Sequence, residues 1–182
     1  MKYSNLFISI MITLIVLSAV GCTKAEDVAD TVSDVITAAK LPEEARAKYE
    51  SGVDLQNNQQ DFVAAIAEFD EVIKLAPDFA LAYYARANAN YHINKFQTSL
   101  EDLNKAIELD PKMADAYMVR GAVFRWQDDL QASIADLDKA IDLDANNAYA
   151  YKKRAAALRE FGQFTLADQD EVKACELDRS LC

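Results

Sequence analysis

The sequence predicts an all-α fold, an array of antiparallel helix pairs, on three observations. A stretch recurs: LNKAIELDP at Leu103–Pro111 returns as LDKAIDLDA at Leu137–Ala145. A catalytic motif seldom needs a second copy at a fixed interval, whereas a stacked structural unit does. Ala, Leu, Ile, Glu, Asp and Lys dominate the 182 residues, with four Gly and three Pro, a mix that favours helix and supplies few tight turns. Within each copy the apolar residues return three or four positions apart, the spacing of one helix face.

The first element is of another kind. Residues 1–21 read as a signal peptide: one Lys near the start, a charge-free apolar run from Leu6 to Val20, then the small residues Ala19 and Gly21 before Cys22. The run is shorter than the roughly 20 residues a spanning helix requires. The ending LSAVGC resembles the lipobox of bacterial lipoproteins, which implies acylation of Cys22 and a protein exported and lipid-anchored to a bacterial membrane of the cell envelope. A secreted or periplasmic soluble protein cut at the same bond is the alternative. The segment 22–44 follows, with Val28, Val32, Val35, Ile36 and Ala39 on one helical face and Pro42 stopping the pattern. It reads either as a capping helix over the first unit or as a tether.

From there the chain divides into four units, 45–79, 80–113, 114–147 and 148–182. The second and third share more than a third of their positions. Tyr83, Arg86, Ser99, Asp102, Leu103, Ala106 and Ile107 return as Tyr117, Arg120, Ser133, Asp136, Leu137, Ala140 and Ile141. The fourth keeps Ala150, Tyr151, Arg154, Ala174, Leu177 and Asp178. The first aligns through Phe62, Ala65, Phe69 and Pro77, and its first half through Tyr49 and Gly52 if one residue is inserted between Gln56 and Asp61. Each unit reads as two short helices about a tight turn, such as Asn94–Lys95, with Asp110–Pro111 closing the second helix. One hairpin alone leaves an apolar face wet, and stacking buries it.

The pattern Tyr83, Ala87, Phe96, Ser99, Leu103, Ala106, Pro111, then Tyr117, Gly121, Phe124, Leu130, Ser133, Leu137, Ala140, resembles the tetratricopeptide repeat from Ala45 to about Asp178. The resemblance implies a right-handed superhelix whose concave groove is lined mainly by each unit's first helix. Asn90, where Tyr or Phe is usual, and Ala145, in place of Pro, depart from it. The implied groove holds Tyr84, Asn88, Tyr91 and His92, then Met118, Arg125 and Trp126, then Tyr149, Lys152 and Arg159. Of the family's carboxylate clamp only Asn88 is matched. The expected partner is therefore an extended or helical protein segment, apolar with some acidic residues, and not a free C-terminus. Trp126 could instead pack between units.

Charge narrows the function classes. The net charge of −11 disfavours nucleic acid. The first helices of the three regular units (80–93, 114–127, 148–161) hold seven Lys/Arg and two acids; the second helices with their ends (96–110, 130–144, 164–178) hold thirteen acids and three Lys. Arg86, Arg120 and Arg154 stand at one constant offset, i to i+16, before Asp102, Asp136 and Asp170, which suggests a structural ion pair repeated with the unit. His92 is the sole histidine and has no partner at metal spacing. Asp142, Asp144 and Asn146 start like a calcium loop, but Asn147 and Lys153 stand where Gly and Glu are needed. No metal, cofactor or catalytic constellation is expected. The function expected is a non-catalytic protein–protein interaction scaffold; self-assembly through the array ends, or an enzyme of unrecognised type, are the alternatives.

The last unit carries Asp168 and Glu171 where earlier units have Leu100/Ile134 and Leu103/Leu137, as suits a terminal helix facing water. Cys175 is expected to pack as Ile107 and Ile141 do, a small apolar residue. A disulfide to Cys182, pinning the tail back, is the alternative.

Overall fold

The computed structural model describes residues 41–182. The expected signal peptide, the acylated Cys22 and the segment up to residue 40 lie outside them. Among the described residues there are eight α-helices and no strand: α1 Glu43–Asn57, α2 Phe62–Leu75, α3 Ala80–His92, α4 Phe96–Leu109, α5 Ala114–Trp126, α6 Leu130–Leu143, α7 Ala148–Glu160 and α8 Phe164–Leu177, with a 3₁₀ turn at Arg179–Leu181. They pair as α1/α2, α3/α4, α5/α6 and α7/α8, and each second helix also packs on the next first helix.

The boundaries have local causes. Pro42 stands at the cap of α1, which begins at Glu43, ahead of the unit start expected at Ala45; Glu43 and Glu44 set carboxylates beside the free N–H groups of its first turn. Asp61, Asp129 and Asn147 cap α2, α6 and α7 by accepting from the amides of Ala64, Ala132 and Ala150 at 3.0, 3.1 and 3.0 Å. Every turn within a pair places one residue in the left-handed region, at the same place in the period: Gln60 (φ 55°), Asn94 (60°), Asp128 (63°) and Gly162 (88°). Asn, Asp and Gly tolerate that conformation; Gln60 is the costly one. Between pairs, Asp110, Asp144 and Asp178 accept from the amides of Lys112, Asn146 and Ser180 at 3.0, 2.9 and 2.8 Å, one junction turn used three times.

The core repeats with the sequence. Phe69, Leu103 and Leu137 are fully buried at equivalent places, as are Ala65, Ser99, Ser133 and Ala167. One cluster joins Ala87, Leu100, Leu103 and Ala106 of the second unit to Ala116, Val119 and Val123 of the third, so the apolar face of that hairpin is covered by its successor. Close approach requires small residues. A Cβ on Gly52 would lie 2.5 Å from Phe69, and one on Gly121 would lie 2.8 Å from Leu137 and 3.0 Å from the Ser133 carbonyl.

Three arginines tie the units together. Arg86 donates from Nε and Nη2 to both oxygens of Asp102 (2.8 and 2.6 Å), and from Nη1 to Asp70 (2.5 Å). Arg120 holds Asp136 in the same fork (2.7 and 2.9 Å) and reaches Asn104 at 2.8 Å. Arg154 holds Asp170 (both 2.7 Å) and Asp138 (2.7 Å). Each guanidinium also lies over the Tyr one turn earlier, Tyr83, Tyr117 or Tyr151. The constant offset thus runs both ways: forward to the same unit's second helix and back to the preceding unit's. Bonding to Asp102 above all, and to Asp70, holds the Arg86 guanidinium above the usual arginine range.

The expectation for Cys175 is corrected. It is disulfide-bonded to Cys182, with Cα atoms 5.0 Å apart. The reason is the junction turn. α8 ends at Leu177, and Asp178 starts the same turn that follows α4 and α6, which folds the chain back between the two cysteines. Lys152 Nζ donates to the Leu181 carbonyl at 3.4 Å.

Candidate functional site: the side-chain row on the first helices

The ion clamps fix the rotation of α3, α5 and α7, and with it a second row of side chains beside the core stripe. Its centre is an aromatic cluster. Trp126 is 59% exposed. Its indole N–H donates to the Tyr91 hydroxyl at 3.2 Å, and its ring stacks on Phe96 with centroids 5.9 Å apart. Arg125 lies over the Trp126 ring and bonds Glu160 at 2.6 Å, so its charge is engaged by the next first helix. Lys153 Nζ stands 5.7 Å from the centre of the Tyr91 ring. Tyr84 and Met118 are half-buried against the same core cluster, and Asn88 is half-buried. Tyr149 is 55% exposed, and Lys152 is exposed beside it on α7.

Two residues expected in the row turn elsewhere. His92 stacks on Phe62 at the start of α2, centroids 4.6 Å apart; burial, with Lys153 nearby, lowers its pKa. Arg159 pairs with Asp168 (3.0 Å) and Glu171 (2.8 Å) on α8. Trp126 does pack between units, on Phe96, while keeping most of its surface in water.

Sequence reasoning missed Lys153, because the equivalent positions are Ala85 and Val119, both buried, so the period marks that place as core. It also missed the backward acceptors Asp70, Asn104 and Asp138. Their recurrence with the repeat period was the available signal, blurred by the uncharged Asn104.

The arrangement offers aromatic faces, an amphipathic cation and backbone-anchored helices, the parts of a docking surface. Among the described residues no group of His, Cys, Asp and Glu could hold a metal ion, and no helix is long and apolar enough to cross a membrane.

A family model described as tetratricopeptide repeat matches residues 54–114 and 93–148. No curated protein matches the sequence. Among solved structures, MamA 41-end from Desulfovibrio magneticus RS-1 is 26% identical, with 75% of this chain and 76% of that one covered and a TM-score of 0.66. TTC0263, a thermophilic TPR protein in Thermus thermophilus, is 18% identical over 74% of this chain and 75% of its own, with a TM-score of 0.68. The first TPR of Spaghetti (RPAP3), bound to the HSP90 peptide SRMEEVD, is 22% identical over 66% of this chain and 94% of its own, with a TM-score of 0.63. At these identities the last two show the fold alone.

Proposed function

The chain belongs to the tetratricopeptide repeat family, and from that premise we propose that it is a non-catalytic interaction scaffold of the bacterial cell envelope, anchored through an acylated Cys22. It captures a segment of another protein on the first-helix row. The observation that carries this reading is the Tyr91–Trp126–Lys153 cluster, with Tyr149 one helical turn before Lys153 on α7. Two large aromatics more than half exposed are the residue types that anchor partners, and Trp126 is already held by its bond to Tyr91, so little ordering is needed on binding. Among the solved structures of similar fold, RPAP3 holds a peptide. The partner segment is apolar with some acidic residues: apolar for the aromatic faces, acidic for Lys152 and Lys153. The leader features of residues 1–21 and the lipobox-like LSAVGC support export and anchoring.

Photo-crosslinkers at Trp126 and Tyr149 in the native envelope are expected to trap one common partner, and a crosslinker at exposed Glu101 of α4 to leave it untouched. The pair Lys152→Glu and Lys153→Glu should then weaken capture with the helical signal intact; Arg125 is the poorer choice because Glu160 holds it. Trapping at Glu101 but at neither aromatic would move the site to the second helices. For the anchor, Cys22→Ser should send the protein from the membrane to the soluble fraction.

A further inference from the structure

Taking the first-helix row as the capture site, we propose that the Cys175–Cys182 bridge regulates it. Closed, the bridge holds Lys152 on the chain's own backbone; opened, it leaves that lysine to the acidic residues of the captured segment. Cys175 lies near the end of α8 and Cys182 follows the 3₁₀ turn, with Cα atoms 5.0 Å apart. Cys182 is exposed, so a thiolate can reach its Sγ. Between the two, Asp178 accepts from the Ser180 amide at 2.8 Å, and the Leu181 amide donates to the Asp178 carbonyl at 3.1 Å. That turn carries the Leu181 carbonyl to α7, where Lys152 Nζ donates to it at 3.4 Å. Asp178 faces the same ammonium. Its bonds from Ser180 above all, and then the charge of Lys152, hold its carboxyl below the usual carboxylate range. On the other side Lys152 stands about one turn after Tyr149, which is exposed in the row.

The preceding junction shows what the bridge adds. Asn147, one period before Leu181, also reaches back to a first helix: its Nδ2 donates to Asp115 of α5 at 3.2 Å. Asn147 is kept in place by α7, which it caps by accepting from the Ala150 amide. Leu181 is kept in place by the covalent tie of its neighbour Cys182 to α8. Tyr84 and Met118 stand where Lys152 does in the second and third units, so the cation and the bridge occur in the same unit. Opening is a two-electron exchange with a dithiol, such as the paired thiols of a thiol–disulfide oxidoreductase. A donor thiolate attacks Cys182 Sγ, and Cys175 leaves as a thiolate that takes up a proton. The donor's second thiol, losing its proton, displaces Cys182, which leaves as a thiol, and the donor departs as its own disulfide. Residues 178–182 then keep their turn and lose their tie to α8. Lys152 gives up a backbone acceptor and a nearby carboxylate. Exposed charge contacts of this kind change an equilibrium by about twofold to fivefold.

The test uses the full chain with the bridge closed, with the bridge reduced by dithiothreitol and alkylated by iodoacetamide, and as Cys175→Ser/Cys182→Ser. Competitive acylation by acetic anhydride, read by mass spectrometry, compares Lys152 with Lys153 on the same helix. Lys152 should react about twofold to fivefold faster in both open forms, and Lys153 at one rate in all of them. Fluorescence anisotropy with a labelled peptide of alternating Phe, Leu and Glu should show tighter binding to the open forms by a similar factor. In a Lys152→Gln background the affinity should no longer depend on the bridge. Acylation of Lys152 that ignores the bridge overturns the proposal. Faster acylation with equal peptide affinity in open and closed forms also overturns it, and leaves the row standing as the capture site. A peptide that binds no form, or binds Trp126→Ala as tightly as the wild type, sinks the reading of the row and the proposal with it, even where Lys152 responds to the bridge. Matching helical signals establish that the open forms are folded.

Discussion

α6 and α8 are near copies in backbone and differ in what they keep. α8 retains the residues that face its own first helix: Ala167 and Ala174 are buried like Ser133 and Ala140, and Asp170 accepts the Arg154 fork as Asp136 accepts that of Arg120. It abandons those that face a following unit. Ile134 becomes Asp168; Asp138, which takes the next unit's arginine, becomes Val172; and Ile141 becomes Cys175, while Leu137, fully buried and in reach of Gly121 on its own first helix, becomes Glu171. One helix therefore carries two separable sets of residues, one that closes the hairpin and one that stacks hairpins. Each set can be altered without the other.

The harshest way to break this contrast is to move the α8 residue inward. Leu137→Glu would bury a carboxylate among Gly121, Ser133 and the α5 core, at a cost of about 4 kcal/mol or more. The reverse change, Glu171→Leu, meets water and should move stability by no more than about 0.5 kcal/mol. Urea unfolding of both variants decides it. A large gain in stability from Glu171→Leu would mean that α8 is covered as α6 is.

Next in size is the clamp. Arg120→Ala leaves the Asp136 carboxylate, 12% exposed, without its cation and Asn104 without its donor. The loss expected is about 3 kcal/mol. Val172→Asp, which restores an acceptor where no arginine arrives, should stabilise nothing. A thermal midpoint series on the two variants would show whether the clamp matters only where both units are present.

The repeat, the turn positions and the constant Arg–Asp offset could be read from sequence because each lies within one unit and returns with the period. What could not be read depends on neighbours. Asn104 broke the charge pattern of the backward acceptors. Lys153 sits on a position that Ala85 and Val119 mark as core. His92 and Trp126 lie on the right face of their helices, but at the last residue, where Phe62 and Phe96 at the start of the preceding unit's second helix capture their rings. The disulfide needed the knowledge that the junction turn is repeated after α8, which the spacing of the two cysteines does not state.

The disulfide sharpens the comparison more gently. With both cysteines changed to Ala, the tail is released and α8 loses the one covalent tie that α6 does without. A short closed loop of this size contributes about 2 kcal/mol. Amide exchange should quicken along α8 and leave α4 to α6 as they were. Equal acceleration in α6 would show that the bridge supports stacking throughout the array.

The smallest effect concerns the other end of the array. His92 lies on Phe62, and burial, then Lys153, lowers its pKa, so the folded state favours the neutral ring. The unfolded chain protonates first, near the ordinary value of about 6.5. The stability due to this stack is therefore complete above that pH and is lost as pH falls through the lowered folded value, after which both states carry the proton and the loss levels off. Between about pH 7.5 and about pH 5.5, above the range where most carboxylates titrate, the melting midpoint should fall more for the wild type than for His92→Gln. Parallel slopes for the two proteins would mean that the ring is solvated in both states, and that the first two units meet without the aromatic stack that joins the second to the third.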